Sequence, residues 1–514
     1  MKRKFRVRLT VMLVAIMMFS MSMTADAKLG YTYNYDYFAD IQYYPDAYEV
    51  VGVYTANDIG LSKGFIKPES IYVVDDLIYV VDAGKNDAEI SNNHTGRIYE
   101  LKRNPDNTIE VVRTIGRFKG NGKTDVTTFL NPTDICVGND GCFYIADKGN
   151  ERIVKLDNDL NYLMTIEKPT DPTFDQSLPF LPSKLVVDEV GRVYCIADNI
   201  NKGLIKFEND GKFTGFLGAT PVTVDFWDYL WKRVLSTKAQ REAMESFVPT
   251  EYDNISMDKD GFIYACTMNV TGAGMRSGAD KPIRKLNLMG SDILIRNGDT
   301  HVTGDEQWDN AGGYEGCSMF SDVVALDNGI YFGLDKTRGR LFGYDSQGNI
   351  VFIFGGSGNE EGYFSARGAI AVDNMGNDLI VLDQTDCSFT IFTPTDYGNL
   401  TYKAIAEYDA GDYIASGETW QEVLNLNGNC DLAYIGIGRS LLRQEKYKEA
   451  MKYFKLKYDD DNYSKAYKQY RKQWIEDHIL IIIIVLGVLI VIPLVKGKLR
   501  KLKFEIDFAD IFRK

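Results

Sequence analysis

The sequence predicts an all-β six-bladed propeller followed by a small all-α segment and one transmembrane helix. Three observations predict it. A unit of strand, turn, strand, loop and strand recurs six times between residues 68 and 398, helical spacing replaces apolar alternation after that point, and residues 479–495 form an uncharged apolar run. A unit of this size cannot bury both faces alone, so successive units must pack face to face until they close a ring.

The clearest unit is FLNPTDICVGNDGCFYIADKGNERIVKLDNDL, residues 129–160. Ile135 and Val137 alternate with small or polar neighbours, as in a strand with one buried face, and Asn139-Asp140-Gly141 reverses the chain. A second strand covers residues 143–146 and ends on Asp147, Lys148-Gly149-Asn150 turns again, and Arg152-Ile153-Val154 opens a third. The frame restarts at Pro68, Pro132, Pro182, Tyr252, Ser321 and Gly368, and its second strand closes on Asp82, Asp147, Asp198, Thr267, Asp335 and Asp383. Those closing positions are 48 to 69 residues apart, so the surplus length belongs to loops. The units resemble NHL repeats, whose D-x-x-N-x-R-I core is matched by Asp147, Asn150, Arg152 and Ile153. An acid and a cation repeated in blade after blade brace strands rather than catalyse.

In chain order, residues 1–27 read as a secretory signal peptide: five basic residues in MKRKFRVR, an apolar run, and Ala25-Asp26-Ala27 as a small-x-small cleavage site. Residues 28–48 are rich in tyrosine (Tyr31, Tyr33, Tyr35, Tyr37, Tyr43, Tyr44) without a periodic pattern, and are expected to pack along a domain surface. Residues 49–55 read as a strand that supplies the outer strand of the sixth blade and closes a propeller spanning residues 49–398. Blade one carries a polar insert at residues 86–96. Residues 225–250 read as a helical hairpin, capped by Asp225, in the connection between blades three and four. Trp227 and Trp231 on that hairpin are lid candidates over the channel mouth.

The residues at the entry to each innermost strand converge on that mouth, which is the default ligand site of a propeller. They include Glu69, Asp134, Lys184, Asp253, Asn254, Asp322 and Arg367, a mixed ring of acids, amides and cations suited to a carbohydrate or peptide ligand. No catalytic residue and no cofactor is assigned. The alternative is a divalent-cation-dependent hydrolase that resembles the gluconolactonases, with Glu69, Asn254 and Asp322 holding Ca; here Asn254 and Asp322 stand one residue nearer the strand than in that family. The amidating lyases, another NHL class, use several histidines on zinc, and His94, His301 and His478 do not have that spacing. There is no nucleophile elbow, no phosphate-binding glycine loop and no EF-hand loop.

Residues 399–474 have the tetratricopeptide period: Tyr413 and Tyr447, Ser416 and Ala450, and Trp420 and Phe454 are each 34 residues apart. Tyr434, Ile437, Gly438 and Leu441 fit the first helix of the second unit. The segment 478–496 is the transmembrane helix, and Lys496, Lys498, Arg500, Lys501 and Lys503 place the basic tail, residues 497–514, in the cytoplasm. The expected localisation is the cell membrane, single-pass type I, with propeller and helical repeats extracytoplasmic. A net charge of −14 speaks against nucleic acid as a partner. The seven cysteines lack a disulfide spacing, and most sit inside predicted strands as small core residues.

The whole layout resembles a bacterial family of membrane-anchored NHL-repeat proteins. That resemblance implies a membrane protein partner, namely components of a transport system such as an ABC sugar importer.

Overall fold

The computed structural model describes residues 32–62, 64–84, 96–120, 127–218, 252–298, 302–305 and 316–511, with side chains through residue 504. The signal peptide, Tyr31, His94, His301, nearly all of the blade-one insert, and the hairpin with Trp227 and Trp231 lie outside the described residues. The chain divides into two units, residues 1–399 and 400–514.

In the first unit every repeat enters on an inner strand and works outward. The six inner strands are Pro68–Val74, Pro132–Val137, Pro182–Val187, Asn254–Met257, Phe320–Ala325 and Ala369–Met375. Blades one to three are four-stranded antiparallel sheets in simple sequential order. Among the described residues blade four has three strands. Beyond its third, Ile283–Leu286, the chain makes a single bridge, Leu286 with Asp292, and then leans on blade five, where Asn297 N donates to Gln347 O at 2.8 Å.

Blade six is closed from the other end of the chain. Its third strand, Ser388–Pro394, pairs antiparallel with Tyr48–Thr55, from Ser388 opposite Thr55 to Pro394 opposite Tyr48. This is the closure expected of residues 49–55, and it ties the first and last propeller strands into one sheet. The tyrosine-rich lead forms a small hairpin, Tyr33–Tyr35 with Ile41–Tyr43, on the outer strand Ile350–Gly355 of blade five. Tyr33, Tyr35 and Tyr44 are buried there, and the Asn34 side chain donates to Ile350 O at 2.9 Å, so packing is their role; Tyr37 and Tyr43 stay exposed.

The acids that close the second strands each gather the chain entering the blade. Asp147 accepts from Leu130 N at 2.8 Å and pairs with Arg152 Nε at 2.8 Å, both residues being buried. Asp82 accepts from Ile66 N and Lys67 N, Asp335 from Met319 N, and Asp383 from Ser365 N. Such groups satisfy backbone donors that would otherwise be buried unpaired. Two repeats depart from this. Asp198 instead forms an ion pair with Lys148, and in blade four, where Thr267 occupies the position, the link runs the other way: Asp253, on the entering chain, accepts from Met268 N just beyond the second strand at 2.6 Å. All seven cysteines are free thiols, five of them buried.

A short helix, α1 (Gly272–Ser277), interrupts blade four. The C-terminal helices are α2 (Asp396–Asp409), α3 (Tyr413–Leu426), α4 (Asp431–Arg443), α5 (Tyr447–Leu456) and α6 (Asp460–Ile511). The 34-residue correspondence falls on α3 and α5: Tyr413 and Tyr447 begin them, Ser416 and Ala450 are buried, and Trp420 and Phe454 are buried. Both aromatics press on glycines of α4. A Cβ on Gly436 would lie 2.4 Å from Trp420 Nε1, and one on Gly438 would lie 2.6 Å from the Phe454 ring.

Helix α6 is 52 residues long, and its apolar stretch has a mean hydropathy of 3.2 with none of it buried in the protein. It is long and apolar enough to cross a membrane; an amphipathic helix of a soluble domain would carry a polar face through this stretch.

The Asp147–Arg152 pair gives the first prediction. Arg152→Ala leaves the Asp147 carboxylate buried without its cation, which costs on the order of 3–5 kcal/mol. Denaturant titration should show the midpoint falling accordingly, and an unchanged midpoint would refute the bracing role.

Candidate functional site

The central channel is shaped by a repeated irregularity. In five blades the pairing of the inner with the second strand shifts between the first residue and the third: Pro68/Ser70, Pro132/Asp134, Pro182/Lys184, Phe320/Asp322 and Ala369/Ala371. A bulge of this kind re-aims side chains at a rim. The skipped residue, such as Glu69, Thr133 or Ser183, falls at the mouth. The residue after it starts the regular ladder, and with Asn254 of blade four these positions make a collar of Ser70, Asp134, Lys184, Asn254, Asp322 and Ala371.

The collar is knit by side chains acting on backbone. Each inner strand has a partner on one edge only, so its other edge faces the channel with free N–H groups. Asp134 Oδ2 accepts from Leu185 N of blade three at 2.8 Å, and its other oxygen accepts from Ser70 Oγ of blade one at 2.6 Å. Asp322 accepts from Val372 N of blade six at 2.8 Å and from Val323 N at 2.8 Å. Asp373, lower on the blade-six strand, accepts from Val73 N of blade one at 2.6 Å and from Asn374 N at 2.8 Å. Lys184 Nζ donates to Glu69 O at 3.3 Å.

Two cavities open on either side of this collar. The mouth cavity, about 390 Å³, is lined by Glu69, Thr133, Lys148, Ser183, Lys184, Asp198, Asn199, Asn201, Tyr252 and Asp253 among others. The second, about 460 Å³, runs from Ser70, Asp134, Asn254 and Asp322 past Asp373 to the turns that join first to second strands.

Burial pushes the interior carboxyls up. Asp134 is raised by desolvation, against which the nearby Lys184 ammonium acts. Desolvation raises Asp322 to about 8 in spite of Lys184, and raises Asp373, which has backbone N–H groups as its only counterweight, to about 7.

The residues singled out from sequence therefore separate. Glu69, Lys184 and Asp253 line the mouth cavity; Asp134, Asn254 and Asp322 line the second. Arg367 is exposed in a left-handed turn, φ 58°, and lines neither. Glu69, paired with Lys67, is thus on a different cavity from Asn254 and Asp322, the other two groups of the calcium reading. Among the described residues no group of three His, Cys, Asp or Glu is placed to hold a metal ion. Sequence reading missed Lys148, Asp198, Asn199 and Asn201, whose signal was topological: the loop after a second strand lies on the same face as the entry to the first. It also missed Asp373, whose signal was an acid where the other inner strands carry Tyr72, Cys136, Val186, Ser256 or Val324.

No protein-family profile matches the chain, and no curated protein sequence does. Solved structures with a similar course include a protein of unknown function from Bacteroides thetaiotaomicron (11% identity, 68% of this chain and 76% of that chain, TM-score 0.39). A streptogramin B lyase (12% identity, 68% and 100%, TM-score 0.38) and a protein provisionally described as a gluconolactonase (9% identity, 68% and 94%, TM-score 0.37) are also similar. The class defined by fold and channel is a six-bladed β-propeller joined to a helical segment and one long apolar helix.

The raised carboxyls set a pH dependence. In the folded protein Asp373 and Asp322 hold protons up to about pH 7 and 8, whereas the unfolded chain releases them near pH 4. Folding stability contributed by these groups is therefore full below pH 4 and declines as pH rises through 7 to 8. Asp373→Asn removes one such proton, so the melting temperature of the wild type should drop more between pH 5 and pH 8 than that of the variant. Parallel melting curves across that range would exclude the assignment.

Proposed function

We propose that this protein is a membrane-anchored binding and scaffold module, with the propeller outside the cytoplasm, an accessory to a transport system in the membrane. The observation that carries the reading is the mouth cavity. Blades one to four contribute to it, and it presents Lys148 and Lys184 beside Glu69, Asp198 and Asp253, with the amides of Asn199 and Asn201 between them. Donors and acceptors of both signs around about 390 Å³ suit a polyhydroxylated or peptidic small molecule, held by many hydrogen bonds rather than by one strong ion pair.

The second support is the C-terminal unit. Its 34-residue frame, with small residues facing aromatics between α3, α4 and α5, accords with a pair of tetratricopeptide-type repeats, an architecture whose extended surfaces bind other proteins. Helix α6 follows directly, so these helices are joined to the candidate membrane anchor with no intervening domain. A partner at the membrane is the natural occupant, and permease subunits of a sugar importer are the proposed one. The basic residues after the apolar stretch favour a cytoplasmic C-terminus.

The test is to extract the full chain in mild detergent, identify what co-purifies, and repeat with a variant lacking residues 413–456 but retaining α6. Permease subunits recovered with the full chain and lost from the variant would support the reading. A full chain that purifies alone, folded and intact, would overturn the accessory role.

A further inference from the structure

Where the third strand of a blade turns into the outer strand, five blades use one device. Asn107, Leu160, Gly211, Gly290 and Gly348 each donate their N–H to the carbonyl three residues earlier, at 2.8 to 3.0 Å, and each has a left-handed backbone. The two residues at the tip of this turn are Pro105-Asp106, Asn158-Asp159, Asn209-Asp210 and Ser346-Gln347 in blades one, two, three and five. In blade four they are Leu288-Met289.

Turn tips in water favour polar residues and proline, and blade four departs from that pattern. Leu288 is 51% exposed and Met289 87%, and the outer segment that follows adds Ile293 at 41% and Ile295 at 44%. Single exposed apolar side chains are ordinary, but four within eight residues on one blade edge form a patch of the kind that marks a contact surface.

Charge sorts the blades in the same way. The other four turns each carry an acid (Asp106; Asp157 and Asp159; Glu208 and Asp210; Asp345), and the blade-four turn carries none. From third strand through outer strand, blades two, three and five hold equal numbers of cations and acids, whereas residues 283–297 hold Arg284, Lys285 and Arg296 against Asp292 alone. Lys285 pairs with Asp258 and Arg296 with Asp292, so these cations act as a local field and not as open ligands.

The place of this turn is informative too. In blade six the equivalent position is open, because the third strand ends on Pro394 and the outer strand begins on Tyr48. The turns therefore lie at the level of the rim where the chain leaves the propeller for the C-terminal helices. A turn tip is convex, so it enters a deformable or concave occupant.

We propose that the outer hairpin of blade four is a membrane-contact edge, with Leu288 and Met289 entering the headgroup region of an anionic bilayer and Ile293 and Ile295 lying against its surface. The proposal rests on the membrane-anchored reading, which brings the propeller to a bilayer. An apolar tip with cations behind it is the combination that anionic lipid surfaces hold, and the acids on the other four turns would be repelled there. A contact of this kind, added to a tether, fixes which way the propeller faces.

The experiment places a tryptophan at the tip of the full chain, as Met289→Trp and separately as Leu288→Trp, with Asp159→Trp at the same place in blade two as reference. Each protein is reconstituted into vesicles of phosphatidylcholine and phosphatidylglycerol at about 3 to 1, with or without bromine on the acyl chains. The fluorescence added over that of the wild type reports contact of the new ring with lipid. Brominated lipid should cut that fluorescence at least about twofold at 288 and 289 and leave it unchanged at 159, and omitting phosphatidylglycerol should weaken the effect. Retention of the chain in the vesicles after an alkaline wash tests α6 separately. Retained protein whose tip is quenched no more than Asp159→Trp overturns the proposal and leaves the anchor standing. A quenched tip in protein that the wash removes upholds the contact and overturns the anchor. Two tip positions keep the result readable where one variant fails to fold.

Discussion

The free inner edge of each blade is the constraint on which this propeller depends. A propeller brings six inner strands side by side around a channel without pairing them to one another, and each therefore turns a row of N–H groups that lack a strand partner toward that channel. Here side chains from neighbouring blades meet that need at three points: Asp134 reaches Leu185, Asp322 reaches Val372, and Asp373 reaches Val73. The last of these joins blade six to blade one, at the same seam where Ser388–Pro394 pairs with Tyr48–Thr55. Closure is thus made twice, by an outer strand pair and by an inner carboxylate.

A second consequence concerns the entry to each blade. The chain must cross from the outer strand of one blade to the inner strand of the next, and its backbone donors at the crossing need partners. Asp82, Asp147, Asp335 and Asp383 provide them. Where the acid is diverted, as at Asp198, or replaced, as at Thr267, the blade is served differently, and Asp253 is drawn into structural duty at the rim of the mouth cavity. These two blades border the polar mouth cavity, to which Asp198 and Asp253 both contribute.

Much of this was legible in the sequence because it rests on local pattern. Alternation and turn residues locate the strands, the recurring closing acid sets the blade count, and residues 49–55 stand out as a strand without a blade. The 34-residue spacing of Trp420 and Phe454 anticipates their equivalent burial in α3 and α5. The site was less legible. The pairs at the inner-strand starts were located, but a bulge that displaces Glu69 and Ser183 outward while retaining Asp134 and Asp322 inward is a property of register, and a one-residue slip moves a side chain to a different environment. Arg367 lies outside both cavities: blade six enters its inner strand through a left-handed turn at this residue, and Ala371 takes the collar position. The link Asp373 makes between blades six and one was invisible in the sequence because Val73 lies 300 positions earlier in the chain.

The electrostatics of the channel follow from its mechanics. Asp134, Asp322 and Asp373 are placed by backbone N–H groups that need them, so none can be replaced by an apolar residue without leaving buried donors unpaired. Their positions are imposed by ring closure, while burial disfavours their charge. The protein offers Lys184 as the cation near two of them, and Lys184 also reaches Glu69 O on the mouth side. One ammonium cannot neutralise three interior acids, and burial keeps Asp322 and Asp373 protonated to about pH 8 and 7. The carboxylates below the collar are thus tied to holding the blades together, whereas the mixed polarity of the mouth above it comes in part from the loops that carry Lys148, Asp198, Asn199 and Asn201.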